Sequence, residues 1–231
     1  MHNYFTIIPA RKNSLRLKNK NIQLFNKKPL IEHTFNLVKK IKKLDLVVLS
    51  TNDKKVVKIA KKKKILVPFK RPEKLSKKNS ELDDVIFHAL SWYKEQNNSY
   101  PKNIVLLQPT SPLRNAQVIK KLILDYEKKN CDSMISVCDP FQNPADLYYF
   151  DSAKKIKKSI INKKHSNKKQ KVFFIDGSVY VCKTKKFLKN KKIVDEKTKM
   201  FLIKKDYAFD IDNKFDFDIA EAYSLRKKNK R

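Results

Sequence analysis

Glycine is almost missing from this sequence. The chain holds one glycine, Gly177, in 231 residues, where about 7% is usual, so it offers no glycine-rich phosphate cradle of the ordinary kind. Apolar runs near the ~18 residues of a membrane span are also lacking. The start, MHNYFTIIPA, has no basic segment leading into a long apolar one, so neither a secretory signal nor membrane insertion is expected. Three cysteines, Cys131, Cys138 and Cys182, form no C-x-x-C pair, which argues against a disulfide framework or zinc site and for small buried thiols. The four histidines (His2, His33, His88, His165) share no ligand spacing. No Pro/Gly/Ser-rich linker and no internal repeat divides the chain, so one domain over 1–231 is expected.

What the chain has in abundance is positive charge. Lys+Arg is 55 against 23 Asp+Glu, a net charge of +32. That balance permits RNA, an anionic membrane surface or a phosphorylated substrate as partner. The lysines, however, run along the whole chain and form no single arm. They read as a biased composition on a normal fold, with nucleic-acid contact only nonspecific and charge-driven. The lysine-rich stretch Lys154 to Lys171 reads as an excursion from the domain.

Short apolar runs rich in β-branched residues recur at YFTII (4–8), LVVLS (46–50), ILVPF (65–69), IVLLQ (104–108), SMISVC (133–138) and SVYVC (178–182). They predict strands buried on both faces. Between them, helical spacing appears from Pro29 through Ile41, and over Lys54–Lys62, Ser80–Trp92 and Ala116–Tyr126. Strand–helix alternation predicts an α/β fold: a doubly wound, mostly parallel sheet whose ligands bind beyond the carboxyl ends of the strands.

Four segments follow such ends. PARKNSLRLKNKN carries Arg11, Lys12, Arg16, Lys18 and Lys20 among Asn13, Ser14, Asn19 and Asn21. Asn tolerates positive φ next best after glycine, so Asn13 and Asn19 can supply the bends of a phosphate loop; a solvated basic loop has a similar composition. STND reads first as a helix N-cap through Asn52 or Asp53. QPTSPLR is a stiff turn in which the Gln108 amide can read a base edge or a sugar hydroxyl, or which merely caps the next helix. Finally, Asp206, Asp210, Asp212, Asp216, Asp218 and Glu221 crowd a stretch with one lysine. Asp210 and Asp212 are two apart, so in extended backbone they point the same way, an arrangement that suits a magnesium ion completed by water and substrate phosphates. Asp216, Asp218 and Glu221 favour the start of a final helix.

In order, the pieces IIPARKNSLRLKNKNI, KPLIEHTFN, VVLSTND, VPFKRPEKL, SELDDVIFHAL, LLQPTSPLR, SMISVC, IDGSVYV and FDIDNKFDFDIAEA resemble the acylneuraminate cytidylyltransferases, the CMP-sialic acid synthetases. The resemblance implies a Rossmann-like nucleotidyltransferase fold and a reaction: the anomeric hydroxyl of a nonulosonic acid attacks the α-phosphorus of CTP, giving a CMP-sugar and pyrophosphate. It implies that Arg11, Ser14, Lys20 and Asn21 bind the nucleotide, with Arg71 and Ser80 near the cytidine and ribose. Gln108 would lie between nucleotide and sugar, Tyr180 in the sugar pocket, and Asp210 and Asp212 would hold Mg2+. Asp212, Arg11 and Lys20 are the expected catalytic set. A cytoplasmic homodimer is implied, with about 140–175 as its dimerisation or substrate excursion.

The chain departs from the family in places. Leu15 and then Arg16 follow Ser14, where a lysine is common. Asp176-Gly177-Ser178 stands for N-G-A, and HSNKKQKVFF lacks the relatives' arginine and proline pattern, leaving Lys168, Lys169 or Lys171 to meet the sugar carboxylate. Two alternatives remain: a related synthetase with another base or an octulosonic acid, and a degenerate relative that only binds polyanions.

Overall fold

A computed structural model describes residues 2–12, 14, 16–150, 152, 155–158 and 171–229. Its main sheet has six strands: β1 (Tyr4–Ala10), β4 (Leu46–Thr51), β5 (Asn103–Leu106), β6 (Ser133–Cys138), β9 (Phe174–Lys183) and β10 (Lys199–Leu202). They lie in the order β10-β6-β9-β5-β1-β4. β1 pairs in parallel with β4 and β5, and β10 with β6. β9 runs antiparallel between β5 and β6, so the sheet is mostly parallel, as expected. Two hairpins stand outside it: β2 (Leu24–Phe25) with β3 (Lys28–Pro29), and β7 (Tyr148–Phe150) with β8 (Ile156–Lys158).

Alternation along β1 shows why the sheet is covered on both sides. Tyr4, Ile8 and Ala10 enter one core, and Phe5 and Ile7 enter the other, as a period of two requires. Helices α1 (Leu30–Val38), α2 (Lys54–Lys62) and α4 (Ala116–Lys128) pack on the first face through Phe35, Ala60 and Leu122. Helices α3 (Leu82–Asn97) and α5 (Thr184–Asn190) close the second through Leu90 and Phe187.

Five of the six apolar runs are strands. The exception is ILVPF (65–69), which makes one single bridge, Val48 with Leu66, followed by another just past it, Thr51 with Lys70. Pro68 has no amide to donate to a ladder, so the run lies along the outer edge of β4 without becoming a strand. β10 was not foreseen. Its sequence, KMFL, is short and mostly exposed, with too little apolar patterning to stand out.

The scarcity of glycine is visible in the backbone. Among the described residues seven non-glycines have positive φ: Asn19, Asn26, Lys27, Lys64, Asn98, Asn130 and Lys191. Asn26 and Lys27 form the tight turn of the first hairpin, where both positions need φ > 0. Lys64, Asn98, Asn130 and Lys191 end helices where glycine is the usual residue.

A smaller apolar cluster organises the site. Leu17 from the loop after β1, Phe25 and Leu30 pack with Ile211, Phe217 and Ala220 from the tail. Helix α6 (Lys214–Asn229) is thereby docked against the first loop, and each fully buried Leu or Ile contributes roughly 1.5–3 kcal/mol to holding it there.

Candidate functional site

An open cavity of about 660 Å³ lies beyond the C-terminal ends of β1 and β5. Arg11, Ser14, Lys20, Asn21, Arg71, Ser80, Gln108, Asp210 and Asp212 all line it. Tyr180 does not, but its hydroxyl lies 3.5 Å from Nε2 of Gln108, which does. The sequence placed these residues at separate strand ends, and the fold brings them together.

The first loop is held from several sides. Its Lys12 amide donates to Asn52 Oδ1 at 2.9 Å, and Asn21 Nδ2 donates to the Arg11 carbonyl at 3.1 Å. Asn52 is thus a brace for this loop, while Asp53 is the N-cap of α2, accepting from the Lys55 amide at 2.8 Å. Asn19 adopts φ 57, ψ 26 and opens the turn containing Lys20, the bend expected of it; Asn13 lies outside the described residues. Arg11 donates to the Lys77 carbonyl at 2.7 Å, joining the loop to the segment carrying Ser80, whose hydroxyl donates to the Lys74 carbonyl at 2.8 Å.

The acidic tail meets this loop directly. Lys20 Nζ donates to the Ile211 carbonyl at 2.7 Å and lies 3.4 Å from Asp212 Oδ1. Arg16 reaches Asp212 Oδ2 at 3.0 Å. Burial depresses the Lys20 ammonium, opposed by Asp212 and Asp210. Burial raises the Asp210 carboxyl, with Asp212 adding to the rise. The Thr110 hydroxyl sits beside Asp210 and favours its ionised form, yet neither that hydroxyl nor Asp210 Oδ1 reaches hydrogen-bond geometry. Asp210 Oδ1 is therefore a buried acceptor without a partner.

Backbone contacts fix the acidic pair in place. The Ile211 amide donates to the Thr110 carbonyl at 2.8 Å, so the QPTSPLR turn holds the segment from behind. Asp216 Oδ2 accepts from the amides of Asp212 at 2.9 Å and Asn213 at 3.0 Å, while Asn213 Oδ1 accepts from the Asp216 amide at 3.0 Å. This reciprocal cap starts α6 and orients Asp212. The other two acids act differently from expectation. Asp218 pairs with Lys214 at 2.6 Å, and Glu221 accepts from the Asn26 amide at 2.6 Å.

Gly177 takes a left-handed backbone conformation close to Asp210 and Gln108. At φ +70, an added Cβ would meet Asp210 Oδ2 at 3.4 Å and Gln108 Nε2 at 3.5 Å. The single glycine of the chain sits where the left-handed backbone favours one.

A sequence profile described as Cytidylyltransferase matches residues 5–229. The chain belongs to the cytidylyltransferase family. Among curated relatives, it is 28% identical to CMP-N,N'-diacetyllegionaminic acid synthase of Legionella pneumophila over 93% of both chains. It is 27% identical to the pseudaminic acid cytidylyltransferase of Campylobacter jejuni, again over 93% of each. The N-acylneuraminate cytidylyltransferase of Escherichia coli is 27% identical over 97% of this chain and 53% of its own length. Among solved structures, CMP:2-keto-3-deoxy-manno-octonic acid synthetase complexed with CTP superposes with a TM-score of 0.72 at 13% identity, covering 97% of this chain and 99% of that one. That likeness establishes the nucleotidyltransferase fold.

This cytidylyltransferase also uses residues that sequence reasoning gave no role. Arg114, inside the quoted LLQPTSPLR, is buried and donates to Ser178 O at 2.7 Å, Thr34 Oγ1 at 2.7 Å and Gln108 O at 2.6 Å. It clamps β5, β9 and α1 beneath the cavity. Asp176 is fully buried with neither carboxylate oxygen hydrogen-bonded; its charge acts on Arg114 and on Tyr180, whose hydroxyl burial pushes up to about 12. Among the expected sugar-carboxylate lysines, Lys171 is exposed, and Lys168 and Lys169 lie outside the described residues. Among those residues no cluster of three His, Cys, Asp or Glu side chains is arranged to hold a metal, and no helix is long and apolar enough to cross a membrane.

Proposed function

We propose that this cytidylyltransferase joins CMP, taken from CTP, to the anomeric hydroxyl of a nonulosonic acid and releases pyrophosphate. One observation carries the reading: Asp210 and Asp212 are docked against the cationic first loop by the Leu17–Ile211 contact and by Lys20, inside one cavity with Arg71 and Gln108. The names of the relatives, which act on legionaminic, pseudaminic and acylneuraminic acids, support the sugar class.

The residues divide the work as follows. Arg11, Lys20 and the amides around Ser14 and Asn21 bind the triphosphate, the positioning and charge stabilisation on which phosphoryl-type transfer depends. Arg71, with Ser80, takes the cytidine and ribose end. Gln108 and Tyr180 orient the sugar so that its hydroxyl oxygen attacks the α-phosphorus, the bond to the β-phosphate breaks, and pyrophosphate leaves. Asp212 accepts the hydroxyl proton. Asp210 and Asp212 fit a hard divalent cation, because the pair offers only carboxylate oxygens and Asp210 Oδ1 has no internal partner; magnesium there would offset charge on the phosphates.

The test is pyrophosphate release with CTP, magnesium and a panel of nonulosonic and octulosonic acids. Release with a nonulosonic acid supports the reading, and release only with an octulosonic acid moves it to the related synthetases. No release, with salt-sensitive RNA binding, favours the polyanion binder. We further place the enzyme in the cytoplasm as a homodimer joined through residues 140–175. Exposed Phe141, Leu147, Tyr148, Phe174 and Ile175 supply the apolar surface for that contact, which sedimentation of the intact chain would check.

A further inference from the structure

Both carboxylate oxygens of Asp212 are engaged by cations of the first loop, and the two cations are held very differently. Lys20 is mostly buried, with 11% of its side chain exposed, and is anchored by its bond to the Ile211 carbonyl. Arg16 is 69% exposed, and its ion pair with Asp212 is the one polar contact that the described residues give it. Such a pair in water is weak and exchangeable. Lys20 is built in, whereas Arg16 can leave.

A divalent cation on Asp210 and Asp212 needs carboxylate oxygens and repels a guanidinium resting on one of them. Arg16 lines the same cavity as Arg11 and Lys20. Its planar fork suits a phosphate at least as well as a carboxylate. We infer that Arg16 is a stand-in cation: it neutralises Asp212 in the empty enzyme and crosses to the nucleotide's triphosphate when the divalent ion arrives. This rests on the metal and triphosphate sites proposed above. The consequence is a coupling between two ligands, since metal binding frees a cation for the nucleotide, and the coupling acts equally in both directions.

The test is binding, not turnover. Mn2+ binding to nucleotide-free protein is measured by paramagnetic resonance, and CTP binding by calorimetry with and without Mg2+, for the wild type, Arg16→Gln and Asp212→Asn. Arg16→Gln should bind Mn2+ about two- to fivefold more tightly, the scale of an exposed ion pair, and should bind CTP with Mg2+ more weakly. The enhancement of CTP binding by Mg2+ should shrink accordingly. Because Arg16 is exposed, the variant should keep the wild-type thermal midpoint. Mn2+ binding that is lost in Asp212→Asn but unchanged or weakened in Arg16→Gln overturns this inference and leaves the metal site standing. Absence of Mn2+ binding in the wild type overturns both.

Discussion

Two arginines are buried beside the same cavity, yet their surroundings differ in kind. Arg114 lies beneath it with three hydrogen-bond acceptors, and burial lowers it to about 10 while Asp176 and Asp210 oppose the shift. Arg71 lines the cavity wall, bonded to Ser50 Oγ at 3.0 Å and Ser50 O at 2.6 Å. It too is lowered to about 10 by burial, but its charged neighbour is Arg11, which adds to the shift. Among the described residues no carboxylate reaches ion-pair distance of either arginine, but the charges of Asp176 and Asp210 act on Arg114, whereas the charge that acts on Arg71 is another cation. One charge is offset by acidic groups inside the protein, and the other faces only a further cation, the condition of a cation that awaits an anionic ligand.

That contrast can be broken by experiment. The largest expected effect is from Arg114→Met, which removes three hydrogen bonds of a buried charged group and the cation on which the charge of Asp176 acts. A loss of about 3–5 kcal/mol in urea unfolding is expected, and a change below 1 kcal/mol would mean that Arg114 is not the clamp described. Arg71→Met should do the opposite. The thermal midpoint stays within about 2–4 °C of wild type, while KM for CTP rises at least tenfold, as loss of a charged hydrogen bond of about 1.5–3 kcal/mol requires. Unchanged KM would remove Arg71 from the nucleotide site.

Asp176→Asn sharpens the comparison further. Arg114 loses one countercharge, but the desolvation of an unbonded carboxylate is relieved as well, so a net loss of about 1 kcal/mol is expected in the same urea measurement. The smallest effect concerns His88, packed on Phe69 at 4.6 Å between ring centroids. Burial depresses it first, and Arg71 adds to the depression. The unfolded chain therefore binds more protons than the native one, and stability is lost as pH falls below about 6.5 toward the lower native value. The fall in thermal midpoint between pH 7.5 and 5.5 should be smaller in His88→Gln, and an identical fall would exclude the histidine as its source.

How much of this could be read from sequence depended on range. The parallel strands were legible because runs such as LVVLS are apolar on both faces and end at polar, loop-forming residues. The direction of β9 was not, since an antiparallel insertion between β5 and β6 is decided by pairings across the whole chain. The first loop and the Asp210–Asp212 pair were legible from residue type and spacing, and their meeting from the family resemblance, but the packing that joins them was not, because it depends on Leu17 and Ile211, two ordinary apolar residues. Arg114 was hidden for a simpler reason: in a chain with so many cations, one that is buried looks like all the others.

The left-handed turns have a consequence for anyone who engineers this protein. Lys64 and Lys191, at φ 51 and 55, each carry roughly 1–2 kcal/mol of Cβ crowding, and a glycine at either would relax it at a helix exit that lines no part of the cavity. The molecule thus retains headroom in heat resistance that chemistry at the cavity would not feel, and restoring two hydrogen atoms in place of two long side chains is the most direct way to reach it.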